Sequence, residues 1–325
     1  MKLSIVIPVY NSEVTIEPLV NSLLYVLEQY DLEIILVNDA SKDRSEAICE
    51  NIARSNSRVK FISLRRNSGE HNAVICGLNY CTGKYVAIID DDFQNPPSEI
   101  IALLNKAKKY NYDVVYANYK NKQHSFFRNL CSSINNICAT HLINKPPGLY
   151  LSSFKVISKE IIDDIISYKG PFPYIDALIL RCTSNIGSQT VMHHNRIHGK
   201  SNYTLKKLLS LYLNIVINFS YRPLRIVTIF GLIISLFSFI MSLNVLYEKF
   251  FLRNLTPGWT FISILLLFSI GATFVVIGLM GEYLGKILMA VNNSPQYTIK
   301  KKMNIDIENM NSEKINTNLY DRKTI

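Results

Sequence analysis

Apolar residues follow two rhythms along the first two-thirds of the chain. Short runs dense in Val, Ile and Leu occupy Leu3 to Val9, Leu32 to Asn38, Val59 to Leu64 and Tyr85 to Asp90, with Asp113 to Ala117 after them. Runs of that length read as strands buried on both faces. Between them the spacing becomes helical, as at Ser12 to Tyr30, where Ile16, Leu19, Val20, Leu23, Leu24 and Leu27 share one stripe. Further helices are predicted near Asp43 to Arg54, over Glu70 to Cys81, and from Pro96-Pro97 toward Tyr110, with Asp43 and Glu46 spaced as a capping box. This alternation predicts an α/β fold, a mostly parallel sheet covered by helices on both faces.

The pattern then changes. Ile226 to Tyr247 and Thr256 to Gly281 carry no formal charge, and each exceeds the roughly 20 helical residues that cross a hydrocarbon core. A buried helix of a large soluble core is the alternative for either one, and two adjacent stretches argue against it. Lys206, Lys207, Arg222 and Arg225 precede the pair and Lys286 and Lys300 to Lys302 follow it, whereas the intervening loop has only Lys249 and Arg253 against Glu248. The positive-inside rule puts both flanks in the cytoplasm and makes the two spans a transmembrane hairpin. Leu3 to Val9 is too short for a signal h-region and contains Pro8. Thr204 to Ser220, apolar at Leu205, Leu208, Leu209, Tyr212, Leu213, Val216 and Ile217, suits an interfacial helix, with core packing as the alternative. The expected organisation is a cytosolic catalytic domain over 1–203, an interfacial amphipathic helix over 204–225, a hairpin over 226–285 (spans 226–247 and 256–281) and a basic cytosolic tail over 286–325.

Charge refines this reading. The net charge of +10 over 325 residues fits juxtamembrane attraction to anionic lipid. No nucleic-acid-binding motif or basic helix accompanies it, so nucleic acid is not an expected partner. Cys49, Cys76, Cys81, Cys131, Cys138 and Cys182 match no zinc spacing and read as reduced thiols.

Candidate chemistry gathers where strands end. Pro8-Val9-Tyr10-Asn11, Asn38-Asp39-Ala40-Ser41 and Asp90-Asp91-Asp92 each close an apolar run, and ligands of parallel sheets collect at the carboxyl ends of strands. Strand alternation would aim Asp90 and Asp92 together and turn Asp91 aside. Two such carboxylates suit a hard cation, Mg²⁺ or Mn²⁺, that bridges nucleotide phosphates, with a solvated acidic turn as the alternative. No GxGxxG follows the first strand and no GxxxxGK[ST] occurs, which disfavours dinucleotide dehydrogenases and P-loop NTPases.

Several stretches carry a resemblance. Ile5-Val6-Ile7-Pro8-Val9-Tyr10-Asn11, Asn38-Asp39-x-Ser41-x-Asp43 and Asp90-Asp91-Asp92-x-Gln94-x-Pro96-Pro97 look like family-two glycosyltransferases of the GT-A fold. The likeness extends to about Tyr297 and narrows to polyprenyl-phosphate glycosyltransferases. Arg66-Asn67-x-Gly69-x-His71-x-Ala73 and Gly278-Leu279-Met280-Gly281-Glu282-Tyr283-Leu284-Gly285 most resemble the bacterial undecaprenyl-phosphate formamido-arabinose transferases.

The resemblance implies an inverting, metal-dependent transferase that moves a sugar from a nucleotide donor, UDP-linked, to undecaprenyl phosphate at the cytoplasmic face of a bacterial inner membrane, with a small homo-oligomer as the assembly. It implies a catalytic set of Asp90, Asp92, Gln94 and Arg196, with Asp90 and Asp92 on the metal. It assigns Pro8, Tyr10, Asn11, Glu13, Asp39 and Asp91 to the nucleotide sugar, and Arg128, Arg196, Lys200 and Ser201 to the acceptor phosphate. Arg128 opens a segment apolar at Leu130, Ile134, Ile137, Leu142 and Ile143, for which a surface amphipathic helix is the alternative. Two departures stand out. Asn202 takes a position where the family has Lys, and Ser153-Phe154-Lys155 replaces the Asp-Phe-Arg of some relatives, which removes a carboxylate proposed there as a base. A transferase extending a glycan or glycolipid, and a non-catalytic nucleotide-sugar-binding scaffold, are the rival functions.

Overall fold

The computed structural model describes residues 1–119, 145–146, 148–192, 258–292 and 294–305, together with isolated positions between 227 and 247. The chain divides into two units, one holding 1–132, 145–202 and 295–325, the other 133–144 and 203–294.

In the first unit, β1 (Lys2–Val9), β2 (Asp31–Asn38), β3 (Val59–Leu64) and β4 (Tyr85–Ile88) are the apolar runs expected from sequence. They alternate with α1 (Ile16–Val26), α2 (Ser45–Ser55), α3 (Glu70–Leu78) and α4 (Glu99–Tyr110), and then come β5 (Val114–Tyr119), β6 (Lys155–Ser158), α5 (Lys159–Ser167), α6 (Ile175–Cys182) and β7 (Ile186–Val191). After the second unit, β8 (Ile299–Met303) returns to the sheet. The eight strands lie in the order β7-β5-β6-β4-β1-β2-β3-β8. β4, β1, β2 and β3 are mutually parallel, while β6 and β8 run antiparallel to their neighbours.

β1, β2 and β4 are buried nearly throughout because helices cover both faces of the sheet. α3 lies so close to the sheet that a Cβ on Gly77 would fall 2.5 Å from Val6 Cγ1, which leaves room for glycine alone. Three expectations are corrected here. The basic tail supplies β8, whose Ile299 and Met303 are half-buried on the edge of β3, so that edge is covered. The acidic triplet follows β4, which ends at Ile88 short of the expected Asp90, and leads into a turn with Phe93 at φ 60°. The Asp43/Glu46 capping box does not form: Asp43 Oδ1 accepts from the Ser45 N–H at 3.0 Å, and Glu46 turns to Ser63 and Lys300.

At the opposite end of the sheet, Glu33 is buried and accepts hydrogen bonds from Ser4 Oγ, the Thr82 N–H (2.6 Å) and Lys60 Nζ (2.7 Å). Burial pushes this carboxyl upward, but Lys60, Ser4 and Thr82 outweigh it and hold it at about 2, against an ordinary 4.5. Because the folded value is the lower one, the stabilisation is complete above pH 4.5 and is lost as pH falls from there toward 2. That shift corresponds to about 3 kcal/mol. Thermal melting of the detergent-solubilised chain between pH 5 and 2.5 should therefore show a loss that Glu33→Gln flattens.

In the second unit, α7 (Trp259–Val291) is a single 33-residue helix, roughly 50 Å long at 1.5 Å per residue. Within it, Ser269–Val291 is long and apolar enough to cross a membrane, with a window of mean hydropathy 1.8 that has no part buried. The helix continues past Gly281, where the second span was expected to end. Glu282 and Lys286 lie one turn apart and pair at 3.8 Å, so their charges do not stop it. The isolated described positions of the first expected span, such as Ile229, Phe230 and Ile233, are helical and exposed.

Candidate active site

β1, β2 and β4 are adjacent and parallel, so their carboxyl ends form one rim. The Asp39 N–H donates to the Val9 carbonyl at 2.9 Å and the Ile89 N–H to the Val6 carbonyl at 3.2 Å, which extends the ladder to the point where the polar residues begin. Pro8 stays buried inside β1 opposite Val37, while Tyr10 is exposed at the rim and Asn11 turns away at φ 55°.

The loops of this rim are laced together. The Asn11 N–H donates to Ser41 Oγ (3.1 Å), and the Lys42 N–H donates to Asn11 Oδ1 (2.8 Å). The Ser12 N–H reaches Ser45 Oγ (2.8 Å), and the Glu13 N–H reaches Asp43 Oδ2 (3.1 Å). Glu13 itself accepts from the Arg44 N–H at 3.0 Å and from Arg44 Nε at 3.4 Å. Its carboxylate thus fastens one loop to the next, a role that its expected place against the nucleotide sugar did not include.

The three acids divide by their partners. Asp91 Oδ2 accepts from the Tyr10 N–H at 2.9 Å and from Ser12 Oγ, bolting the end of β4 to that of β1. Burial raises its carboxyl to about 6; the two hydrogen bonds oppose the rise and the charges of Asp90 and Asp92 add to it. Asp91, expected among the nucleotide-sugar contacts, holds the Tyr10 backbone and the Ser12 hydroxyl. Asp90 Oδ2 accepts from Ser153 Oγ at 2.5 Å, and Asp92 Oδ1 accepts from the Gln94 N–H at 3.1 Å. One oxygen of each carboxylate is thereby oriented, that of Asp90 by Ser153 just ahead of β6 and that of Asp92 from within its own turn. Ser153 arrives there because β6 runs antiparallel to β4, so its amino end meets the carboxyl end of β4.

Among the described residues no three His, Cys, Asp or Glu side chains form a ready-made metal cage. Two hard carboxylates nevertheless fit Mg²⁺ or Mn²⁺, which take one or two protein carboxylates and complete their shells with substrate phosphate and water.

Asp39 is buried, and its carboxylate accepts from the Ser68 N–H (2.7 Å) and the Gly69 N–H (2.9 Å). Burial raises its pKa and those two bonds lower it, with a net rise. Gly69 stands at φ 90°, in the left-handed region that favours glycine. Asp39, expected among the nucleotide-sugar contacts, ties the end of β2 to the entry of α3.

Behind Asp90 lies a buried polar cluster that sequence reasoning missed. Lys155 pairs with Asp176, its Nζ stands 4.9 Å from the centre of the Tyr116 ring, and Tyr116 Oη donates to Asp176 Oδ1 at 2.9 Å. The His71 ring meets Tyr174 edge-on at 5.0 Å, and burial drives His71 down to about 4, so it is neutral at physiological pH. Glu70, which precedes it, is exposed as a residue and lies near the charges of Asp90, Lys155 and Asp176. Desolvation, then the charge of Asp90, raise its carboxyl to about 7 against the pull of Lys155. The sequence signals for this cluster are the stretch with His71 that carries the resemblance and the Ser153-Phe154-Lys155 departure that contains Lys155. Arg128, Arg196, Lys200 and Ser201 lie outside the described residues, as do the 204–220 amphipathic segment and the segment after Arg128 up to Ile143.

Comparison with known proteins agrees with this architecture. A family model described as glycosyl transferase family 2 matches residues 4–166. An undecaprenyl-phosphate 4-deoxy-4-formamido-L-arabinose transferase of Sodalis glossinidius is 34% identical over 307 residues, covering 92% of this chain and 93% of the relative. An uncharacterized glycosyltransferase of Bacillus subtilis, YkcC, is 29% identical over 306 residues, covering 93% and 94%. Among solved structures, glucosyl-3-phosphoglycerate synthase from Mycobacterium tuberculosis, in complex with Mn²⁺, UDP and phosphoglyceric acid, superposes with a TM-score of 0.50 at 19% identity, covering 66% of this chain and 76% of that one. That likeness is one of fold and makes the sheet GT-A-like. With rim, sheet order and near full-length relatives in agreement, the chain is a glycosyltransferase that belongs to glycosyl transferase family 2.

Proposed function

We propose that the chain transfers a sugar from a UDP-linked donor to a polyprenyl phosphate, undecaprenyl phosphate in bacteria, at the cytoplasmic face of the plasma membrane. The observation that carries this is the joining of the Tyr10–Asn11, Asp39 and Asp90–Asp92 strand ends at one rim. In this reading the base and ribose lie along Tyr10, Asn11 and Asp39, and Gln94 faces the sugar. Asp90 and Asp92 hold a divalent cation, which neutralises the departing diphosphate when bound. The near full-length relatives named as undecaprenyl-phosphate transferases support the acceptor.

The chemistry is an in-line displacement. An oxygen of the acceptor phosphate forms a bond to the anomeric carbon, the bond from that carbon to the diphosphate breaks, its electron pair leaves with UDP, and the configuration inverts. A phosphate monoester is largely dianionic near neutral pH, its second pKa being about 6, so the nucleophile needs orientation more than deprotonation. The replacement of a carboxylate by Ser153, whose hydroxyl instead orients Asp90, fits a reaction without a protein base. Arg128, Arg196, Lys200 and Ser201 are the proposed acceptor-phosphate contacts.

A two-crossing anchor belongs to the same proposal. β1 to β7 and β8 share one sheet, so the chain between them leaves and returns on one side of any membrane that it enters. α7 supplies one crossing and 226–247 is the proposed second. The domain limits of 1–203, 204–225, 226–285 and 286–325 are carried forward with β8 moved into the catalytic sheet, and a homo-oligomer is the proposed assembly.

An acceptor competition tests the function. Purified chain with Mn²⁺, labelled UDP-sugars and either undecaprenyl phosphate or a glycan acceptor should label only the lipid phosphate. Label on the glycan would favour the extending transferase, and UDP-sugar binding without transfer to either would favour the scaffold.

A further inference from the structure

Glu46, three residues after Asp43, serves neither the helix cap nor the rim directly. Its carboxylate accepts from Lys300 Nζ of β8 at 2.9 Å (Oε1) and 3.1 Å (Oε2), and from Ser63 Oγ at 2.9 Å. Ser63 Oγ in turn accepts from Asn38 Nδ2 at 3.2 Å, and Asn38 Oδ1 accepts from the Ser41 N–H at 3.3 Å. Ser41 Oγ then accepts from the Asn11 N–H at 3.1 Å. The chain of bonds runs from the strand that follows the apolar helix to both loops of the nucleotide rim. Its middle, Asn38 and Ser63, is fully buried.

What the chain of bonds encloses is strained. Ala40 stands at φ 52° and Asn11 at φ 55°; asparagine tolerates the left-handed region, but an alanine persists there only where its surroundings over-determine it. The Asn38–Ser41 bond spans Ala40, and the Ser41–Asn11 bond pins Asn11 across from it. Other contacts along this edge do not reach these loops: Lys301 pairs with Glu50 at 2.6 Å, and Asn304, just past β8, donates to the Ala53 carbonyl late in α2 and to the Val59 carbonyl at the start of β3.

We propose that β8 is part of the nucleotide-binding apparatus: the relay Lys300–Glu46–Ser63–Asn38–Ser41 holds the strained Ala40 turn and Asn11 in the shape that receives the nucleoside diphosphate. Glu46 and Ser63 are positioning residues that act without touching the ligand. The inference rests on the nucleotide reading of the rim proposed above, and extends it to residues far from that rim in sequence.

Two measurements on the full chain in detergent test it. In calorimetric titration with UDP and Mn²⁺, Glu46→Ala and Ser63→Ala should weaken binding roughly tenfold, the loss of about one loop-ordering hydrogen bond. Lys300→Ala, at a half-exposed position, should weaken it about threefold. Lys301→Ala should stay within about twofold, the size expected of an exposed pair outside the relay. Ala40→Gly, which relieves the strain, should recover at least part of the loss in Glu46→Ala. Hydrogen exchange without ligand supplies the second readout: Glu46→Ala and Lys300→Ala should speed exchange of the peptide over residues 38–43. UDP affinities within twofold of the parent, with only a lower melting temperature, would overturn the proposal, and so would unchanged exchange over 38–43. If Glu46→Ala fails to fold, Lys300→Ala and Glu46→Gln decide by the same readings. A parent chain that does not bind UDP would instead contradict the nucleotide reading, and the exchange result would still judge the relay.

Discussion

Asp90→Asn and Asp92→Asn should each lower kcat/KM for sugar transfer by about a thousandfold or more while leaving the fold intact. Asparagine keeps an oxygen that can accept from Ser153 Oγ or from the Gln94 N–H, so the hydrogen bonds that orient these positions survive. What disappears is one negative charge from the pair proposed to hold a divalent cation. Stabilisation of a leaving diphosphate by such a cation contributes several kcal/mol, and each 1.36 kcal/mol is tenfold in rate, so about a thousandfold is the expected scale. Asp91→Asn serves as the contrast. Its carboxylate is occupied by the Tyr10 N–H and Ser12 Oγ, both of which an amide oxygen can satisfy, so the expected loss is within about tenfold. Steady-state kinetics with Mn²⁺ titrated over each variant, beside melting curves, separates the two roles. Equal losses at all three positions would mean that the triplet acts only as a charged unit.

Lys155→Met should be the most destabilising single change in the described structure. It strips the cation from Asp176 and leaves a buried carboxylate beside Tyr116 Oη and the Glu70 carboxyl. Breaking a buried pair by removing one member costs about 3–5 kcal/mol, because the remaining charge is uncompensated. Lys155→Met with Asp176→Asn removes that charge and keeps an acceptor for Tyr116 Oη, so the double variant should recover more than half of the loss. Chemical or thermal denaturation of the four chains of this cycle yields the coupling directly. Additive effects would show that Lys155 and Asp176 are stabilised by their other neighbours and not by each other.

The legible part of the site was the part written in consecutive residues. Strand runs of Val and Ile ending in Asp90, Asp39 or Tyr10 announce both the sheet and its rim, because burial on two faces requires apolar continuity and the chain turns polar where the sheet stops. The roles of the rim residues were harder to read. Asp39 and Asp91 hold loops through backbone N–H groups about 30 and 80 positions away, and no local spacing encodes such partners. Glu46 looked like a cap because Asp43 stands three residues before it, yet tertiary partners on β3 and β8 took its carboxylate. β8 itself was hidden by composition: Ile-Lys-Lys-Lys-Met reads as a solvated basic tail, and only the exposed edge of β3 turns it into a strand. The Lys155–Asp176 pair joins β6 to α6, elements left unassigned because four residues of strand and eight of helix carry little periodic signal.

The most direct test of the central claim is to identify both products of one reaction. Detergent-purified chain, Mn²⁺, undecaprenyl phosphate and a panel of UDP-sugars are incubated together, and the released nucleotide and the lipid are analysed by mass spectrometry. The expected products are UDP and a lipid whose sugar is attached through a single phosphate, both absent from Asp90→Asn. Release of UMP with a lipid diphosphate sugar, or transfer that persists in Asp90→Asn, would contradict that claim.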